Sequence, residues 1–142
     1  MKDVSRWMLV AAGVMGFTAI VAGTFAAHYL PWESLDPDAP RWWDTGAKYH
    51  LTHAPVLLGL AVLAAFRSGK LTTASAVCFC VGVVIFAGSL YVMSLTGLRW
   101  LGAITPIGGL SLMAGWVLLF VAGLRGGGSG GRKDNPGSLT RG

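Results

Sequence analysis

The chain has 142 residues, enough for one domain, with 54% hydrophobic and only 12% charged residues, and its mean hydropathy is +0.61. A soluble domain carries roughly 25% charged residues, so this composition excludes intrinsic disorder, a fibrous protein and a water-soluble enzyme, and it points to the bilayer. The net charge of +5 does not indicate nucleic acid, because the basic residues are scattered along the chain and report membrane orientation instead.

Four charge-free stretches follow one another, at 7–30, 49–66, 71–98 and 100–124. Each approaches or exceeds the ~20 residues that cross a ~30 Å hydrocarbon core. Period-two alternation is absent, and backbone polar groups in lipid must bond within their own segment, so the stretches are expected to be helices. The first follows Lys2 and Arg6. Its apolar length exceeds the roughly 7–15 residues of a secretory signal core, so it is expected to stay as a signal-anchor helix. Connection 31–48 holds Pro31, Pro37 and Pro40, then Trp42 and Trp43, a pair that reads as an interfacial aromatic belt. Pro40 suits the first position of a helix that continues inward through Tyr49, with a kink expected at Pro55. Residues 67–70, with Ser68 and Gly69, form a tight turn. Cys78 and Cys80 read as small buried hydrophobes, because a C-x-C pair matches neither redox nor zinc spacing. Thr105 and Pro106 read as a cap followed by a first-turn proline, which leaves 97–104 as an irregular entry.

The spans are therefore placed at about 7–30, 47–66, 71–95 and 103–124, within one transmembrane domain over 1–125. Residues 126–142 are a Gly-rich, polar segment expected to be disordered, and its GGGSGG run fits a natural tail and an added linker equally. Short connections force antiparallel neighbours. The expected fold is an all-α membrane protein, a four-transmembrane-helix antiparallel bundle. One side collects Lys2, Arg6, Arg67, Lys70 and Arg125; the other collects Arg41, Lys48 and Arg99. That bias predicts both termini in the cytoplasm. Small residues four apart on the first helix (Ala12 and Gly16, Ala19 and Gly23, Gly23 and Ala27) form a face from which Met15 is absent; Gly108, Gly109 and Gly115 do the same on the fourth. Such faces pack a small bundle closely or join copies into an oligomer.

Polar residues inside such clean spans are informative. His28 ends the first span, while Tyr49, His50 and His53 open the second. Ser89 and Tyr91 lie in the outer half of the third, and Thr105 opens the fourth. The alternating topology puts all of them on the extracytoplasmic side, with the three histidines at one depth. His28, His53, Tyr91 and Thr105 are expected to form one connected cluster, because lipid offers no other hydrogen-bond partner. His50 sits about 60° around the helix from His53, which leaves it free to face the interface. Three uses of such a cluster stay open: a polar clamp between helices, a metal or haem site built on neutral imidazoles, and a pocket for a small apolar ligand, lipid or quinone. No nucleophile–base pair, phosphate loop or zinc-protease motif occurs.

Several of these residues lie in motifs that resemble a known family. Gly23-Thr24-Phe25-Ala26-Ala27-His28 resembles a GAFGAH segment, and residues 43–54 (WDTGAKYHLTHA) resemble a W-x-T-A-x-x-Y-x-x-x-H-A segment. Residues 86–91 (FAGSLY), 95–97 (LTG) and 101–109 (LGAITPIGG) resemble F-S-G-S-L-Y, L-T-G and L-G-A-I-T-P-I-G-G. On these motifs the chain is identified as a member of the domain of unknown function 423 family, over roughly 7–125. It departs from the pattern at Thr24, Ala26, an extra Gly46 and Pro55. The resemblance implies a small bacterial inner-membrane protein and carries no activity with it. The expected role is non-enzymatic: a structural or accessory membrane component or a small-ligand binder, with a transporter or channel acting as an oligomer as the alternative and a haem- or metal-binding subunit third. No cofactor is assigned. The expected partners are the lipid bilayer and a homo-oligomer or larger membrane complex, and no nucleic acid.

Overall fold

The computed structural model describes residues 3–67 and 69–126, so the tail beyond 126 and Ser68 of the second connection lie outside the described residues. Four long helices follow in order: α1 (Asp3–His28), α2 (Ala39–Phe66), α3 (Lys70–Thr96) and α4 (Thr105–Gly126). Single 3-10 turns interrupt the two loops at Trp32–Ser34 and Arg99–Ala103. All four helices are long and apolar enough to cross a membrane. Their boundaries have local causes. α1 stops at His28, three residues before Pro31, and the residue preceding a proline is pushed out of the helical region. α2 carries Pro40 in its first turn, where a missing N–H costs nothing. α3 ends on Gly97, whose φ of +69° only glycine adopts without strain, and whose N–H donates to the Met93 carbonyl at 2.9 Å.

The expected antiparallel four-helix arrangement is present, and the helices lie in chain order: α1 on α2, α2 on α3, α3 on α4. Contact between α1 and α3 is thin, and none of comparable extent joins α1 to α4 among the described residues. The inner pair is accordingly more enclosed. In the most apolar window of each span, 39% of α2 and 44% of α3 is buried, against 22% of α1 and 17% of the fourth. α1 and α4 therefore present most of their apolar surface to lipid.

The α3–α4 interface is the tightest. Four layers recur at alternating spacings of three and four residues: Ser89 on Thr105, Phe86 on Gly108, Gly82 on Leu112 and Phe79 on Gly115. In three of them a glycine faces a large side chain. A methyl group on Gly115 would sit 2.7 Å from the Phe79 ring, one on Gly82 2.6 Å from Leu112, and one on Gly108 would collide with the Phe86 backbone. This is small-to-large packing of helices at close approach, the association that works where lipid supplies no hydrophobic drive. Two hydroxyls stitch the same interface: Ser75 donates to the Gly115 carbonyl and Ser111 to the Cys78 carbonyl, both at 2.8 Å.

On α1 the buried stripe is Ser5, Met8, Ala12, Met15 and Ala19. The i,i+4 face expected from the small residues is corrected here: Met15 lies on the packed face, and Gly23 has open space around it. Strict steps of four drift about 40° each around a helix, whereas alternating steps of three and four stay on the seam. Trp43 is buried between helices, and Cys78 and Cys80 are half-buried instead of buried. α2 runs through Pro55 as one helix.

A methyl group at the α3–α4 seam should be costly where space is absent. Gly108→Ala should lower stability by about 1–3 kcal/mol in detergent thermal unfolding, the cost of overpacking. Gly88→Ala, at a helical position with open space, should be neutral or slightly stabilising.

Candidate functional site

α2 begins eight residues before the span expected at 47–66, and this moves the polar residues relative to one another. Thr18 meets His50, Gly16 meets Ala54 and Phe25 meets Trp43, which together set the α1–α2 register. On that register His28 lies opposite the first turn of α2, ten residues beyond Thr18 and about 15 Å along the axis. The three histidines therefore do not share one depth. Among the described residues, His28 makes only an edge contact with the neighbouring Tyr29 ring, at 6.5 Å between centroids.

His50 is the hub of the interior instead of an interface residue. Its side chain is buried between three helices. Nε2 lies 3.2 Å from Thr18 Oγ1 on α1, and Nδ1 lies 3.2 Å from Tyr91 Oη on α3. The Thr18 hydroxyl also donates to the Val14 carbonyl at 2.7 Å. With that proton committed, one pattern satisfies every group: Tyr91 O–H donates to Nδ1, and Nε2–H donates to Thr18 Oγ1. A neutral imidazole thus ties α1, α2 and α3 together. Gly46 makes room for this, because a methyl group there would sit 3.2 Å from the Tyr91 ring. Trp43 closes the site toward the loops, its ring 4.5 Å from Tyr91 and flanked by Phe25 and Trp32. Its Nε1 is buried without a hydrogen-bond partner among the described residues.

His53 sits in a separate setting one turn deeper. Nδ1 lies 2.7 Å from the Tyr49 carbonyl, so it carries the proton. Nε2 is then a bare acceptor, and it is buried without a partner among the described residues. Rings surround it: Tyr49 stacked at 6.2 Å, Phe79 at 5.3 Å and Trp116 at 6.3 Å between centroids. Ser89 and Thr105 share a third contact, 2.8 Å between hydroxyls. The single cluster of His28, His53, Tyr91 and Thr105 is therefore not formed. His53, Tyr91 and Thr105 belong to three separate hydrogen-bonded units, Tyr49–His53, Thr18–His50–Tyr91 and Ser89–Thr105, and His28 joins none of them. His53 has the tautomer of a metal-ligating histidine, but no group of three His, Cys, Asp or Glu side chains that could hold a metal occurs among the described residues. Thr18 has no sequence signal of its own, since a lone helical threonine ordinarily bonds its own backbone.

Nearer the loop end, Arg99 clamps two connections together. Its Nε and Nη2 donate to Asp36 at 3.2 and 2.9 Å, Nη2 also reaches Asp38 at 3.2 Å, and the guanidinium lies 5.2 Å from the Trp42 ring centre. Asp36 Oδ1 further accepts the Asp38 N–H at 3.0 Å, ordering the turn that starts α2.

Four apolar helices with polar side chains turned inward define a multi-pass integral membrane protein. Residues 22–109 match the family described as Protein of unknown function (DUF423), and the chain belongs to that family. It is 38% identical over 121 residues to the UPF0382 inner membrane protein YgdD of Escherichia coli, an alignment covering 85% of this chain and 92% of the relative. It is similarly 38% identical over 120 residues to the UPF0382 membrane protein YwdK of Bacillus subtilis, covering 82% and 95%. A Haemophilus influenzae UPF0382 membrane protein is 35% identical over 111 residues, covering 78% and 88%. No solved structure matches.

The hydrogen bond from Tyr91 to His50 should be measurable as a coupling. Tyr91→Phe and His50→Phe, singly and together, should give a coupling energy of roughly 0.6–1.7 kcal/mol, the range of interhelical hydrogen bonds in membranes. His28→Ala should leave the unfolding midpoint unchanged.

Proposed function

We propose that the protein is a non-enzymatic structural or accessory component of the bacterial inner membrane, with both termini in the cytoplasm. His50 supports this reading most directly. Both ring nitrogens are engaged by partners on two other helices, so its polar groups face one another inside the protein. A relay closed in this way holds helices in register, which is the work of a framework. The orientation rests on the placement of Arg6, Arg67, Lys70 and Arg125 at the end that carries both termini.

A second reading rests on His53. Its bare Nε2, boxed by Phe79, Trp116 and Tyr49, would accept one hydrogen bond from a small, largely apolar ligand that carries a single hydroxyl or N–H.

The two readings separate on one pair of variants. For a framework, His50→Ala should lower thermal stability by about 1–3 kcal/mol, the cost of leaving buried partners unpaired, and cellular abundance should fall in step. For a ligand site, His53→Ala should leave stability intact and remove a co-purifying molecule detected by mass spectrometry or absorption. That second result, with His50→Ala neutral, would overturn the framework reading. Reporter fusions should read cytoplasmic after Arg125 and extracytoplasmic within 31–38. The reverse pattern would invert the proposed orientation.

A further inference from the structure

At the end that carries the termini, a cavity of about 450 Å³ opens between α2, α3 and α4. Three cations line it: Arg67 at the end of α2, Lys70 at the start of α3 and Arg125 at the end of α4. No carboxylate is among its described lining residues. The remaining wall is apolar, with Leu63, Leu71 and Leu119, and Gly123 leaves it open. From Leu119 and Gly123 a second recess continues along α4 past Phe120 to Trp116. Trp116 lies nine residues from Arg125, about 14 Å along the helix and close to half of a ~30 Å hydrocarbon core.

We infer that this cavity seats an anionic phospholipid, its phosphate against Lys70 and Arg125 and one acyl chain along α4 toward Trp116. The site's two halves match the ligand's two halves. Lys70 and Arg125, with no carboxylate among the described lining residues, suit a phosphodiester, whose attraction to such groups is strong at the membrane surface. An apolar recess that starts at the same residues and runs toward the bilayer centre suits a chain and has no use for a soluble anion. Lys70 also borders a neighbouring recess beside Val4 of α1, which gives the ammonium room to follow the headgroup. The inference concerns surfaces remote from His50 and does not depend on the framework reading or on the orientation.

The test uses the full chain, purified in mild detergent, stripped of lipid and mixed with phosphatidylglycerol or phosphatidylcholine of the same chains, with bound lipid counted by native mass spectrometry. Phosphatidylglycerol should be retained preferentially. Lys70→Gln and Arg125→Gln should each lower its retention roughly fivefold, the equivalent of ~1 kcal/mol per surface cation. Lys48→Gln, at the opposite end, should leave retention unchanged. Gly123→Leu places a side chain where open space exists, keeps every charge, and should also lower retention. Equal retention of the two lipids, or retention unaffected by both the charge variants and Gly123→Leu, would overturn the inference. So would full displacement of the lipid by millimolar inorganic phosphate, which would mark a site for the free anion.

Discussion

Lipid offers no hydrogen-bond partner, so a polar group carried into the hydrocarbon region is costly unless it finds one inside the chain. The helices satisfy their own backbones, and what remains is a short list of side chains whose pairing fixes how the helices sit. His50 is the most constrained of these. It has two ring nitrogens with opposite requirements, one donor and one acceptor, and it finds Thr18 and Tyr91 on different helices. Sliding α1 by one turn, about 5.4 Å, would break the Thr18 contact and leave Nε2–H unpaired in an apolar interior. A hydrophobic seam alone tolerates such a slip far better, because one apolar residue replaces another.

The two halves of the molecule reach definition by different means. Between α3 and α4, shape does most of the work: three glycines each admit one large side chain, and a shift by one turn would bring those side chains against other residues. Between α1, α2 and α3 the contacts are looser, with methionine and alanine on the α1 stripe, and the polar relay supplies the register that shape leaves soft. Methionine fills irregular gaps without specifying one arrangement. A hydrogen-bonded hub is the natural complement to such a seam.

The spans were legible because charge is so costly in lipid that its absence over ~20 residues has few other meanings. The site was only half legible. Arg41, Asp44 and Lys48 kept 39–46 out of the expected span, although Pro40 marked a helix start there; they lie on the outer face of α2, where Lys48 and Asp44 pair at 2.8 Å. The 60° offset from His53 left His50 free to face the interface, whereas Thr18 and Tyr91 approach it from two other helices, which spacing along α2 alone does not reveal. His28 was misplaced because a shared side of the membrane is not a shared depth. Gly108 and Gly115 were visible as small residues, but Gly82 was not, because its role exists only opposite Leu112. Arg67, Lys70 and Arg125 were legible as orientation signals and not as a cavity, because three separate helix ends create it.

The charged ends of the bundle differ in kind, and not only in count. At the loop end Arg41, Lys48 and Arg99 each meet a carboxylate, at 3.6, 2.8 and 2.9 Å, and four carboxylates stand against three cations. At the other end Arg6, Arg67, Lys70 and Arg125 stand against the single carboxylate of Asp3 among the described residues. Insertion responds to the number of lysines and arginines and hardly to acidic residues, so the loop end still counts three cations during assembly. The folded protein responds to the net field. Pairing removes most of the positive potential at the loop end, whereas Lys70 and Arg125 meet no carboxylate among the described residues and keep theirs at the end that carries the termini, where it falls off within about 8 Å in physiological salt. A field of that range reaches the headgroups beside the helices and little further. On the proposed orientation, the same cations that would orient the chain during assembly would go on acting in the folded state, on the lipids immediately around it.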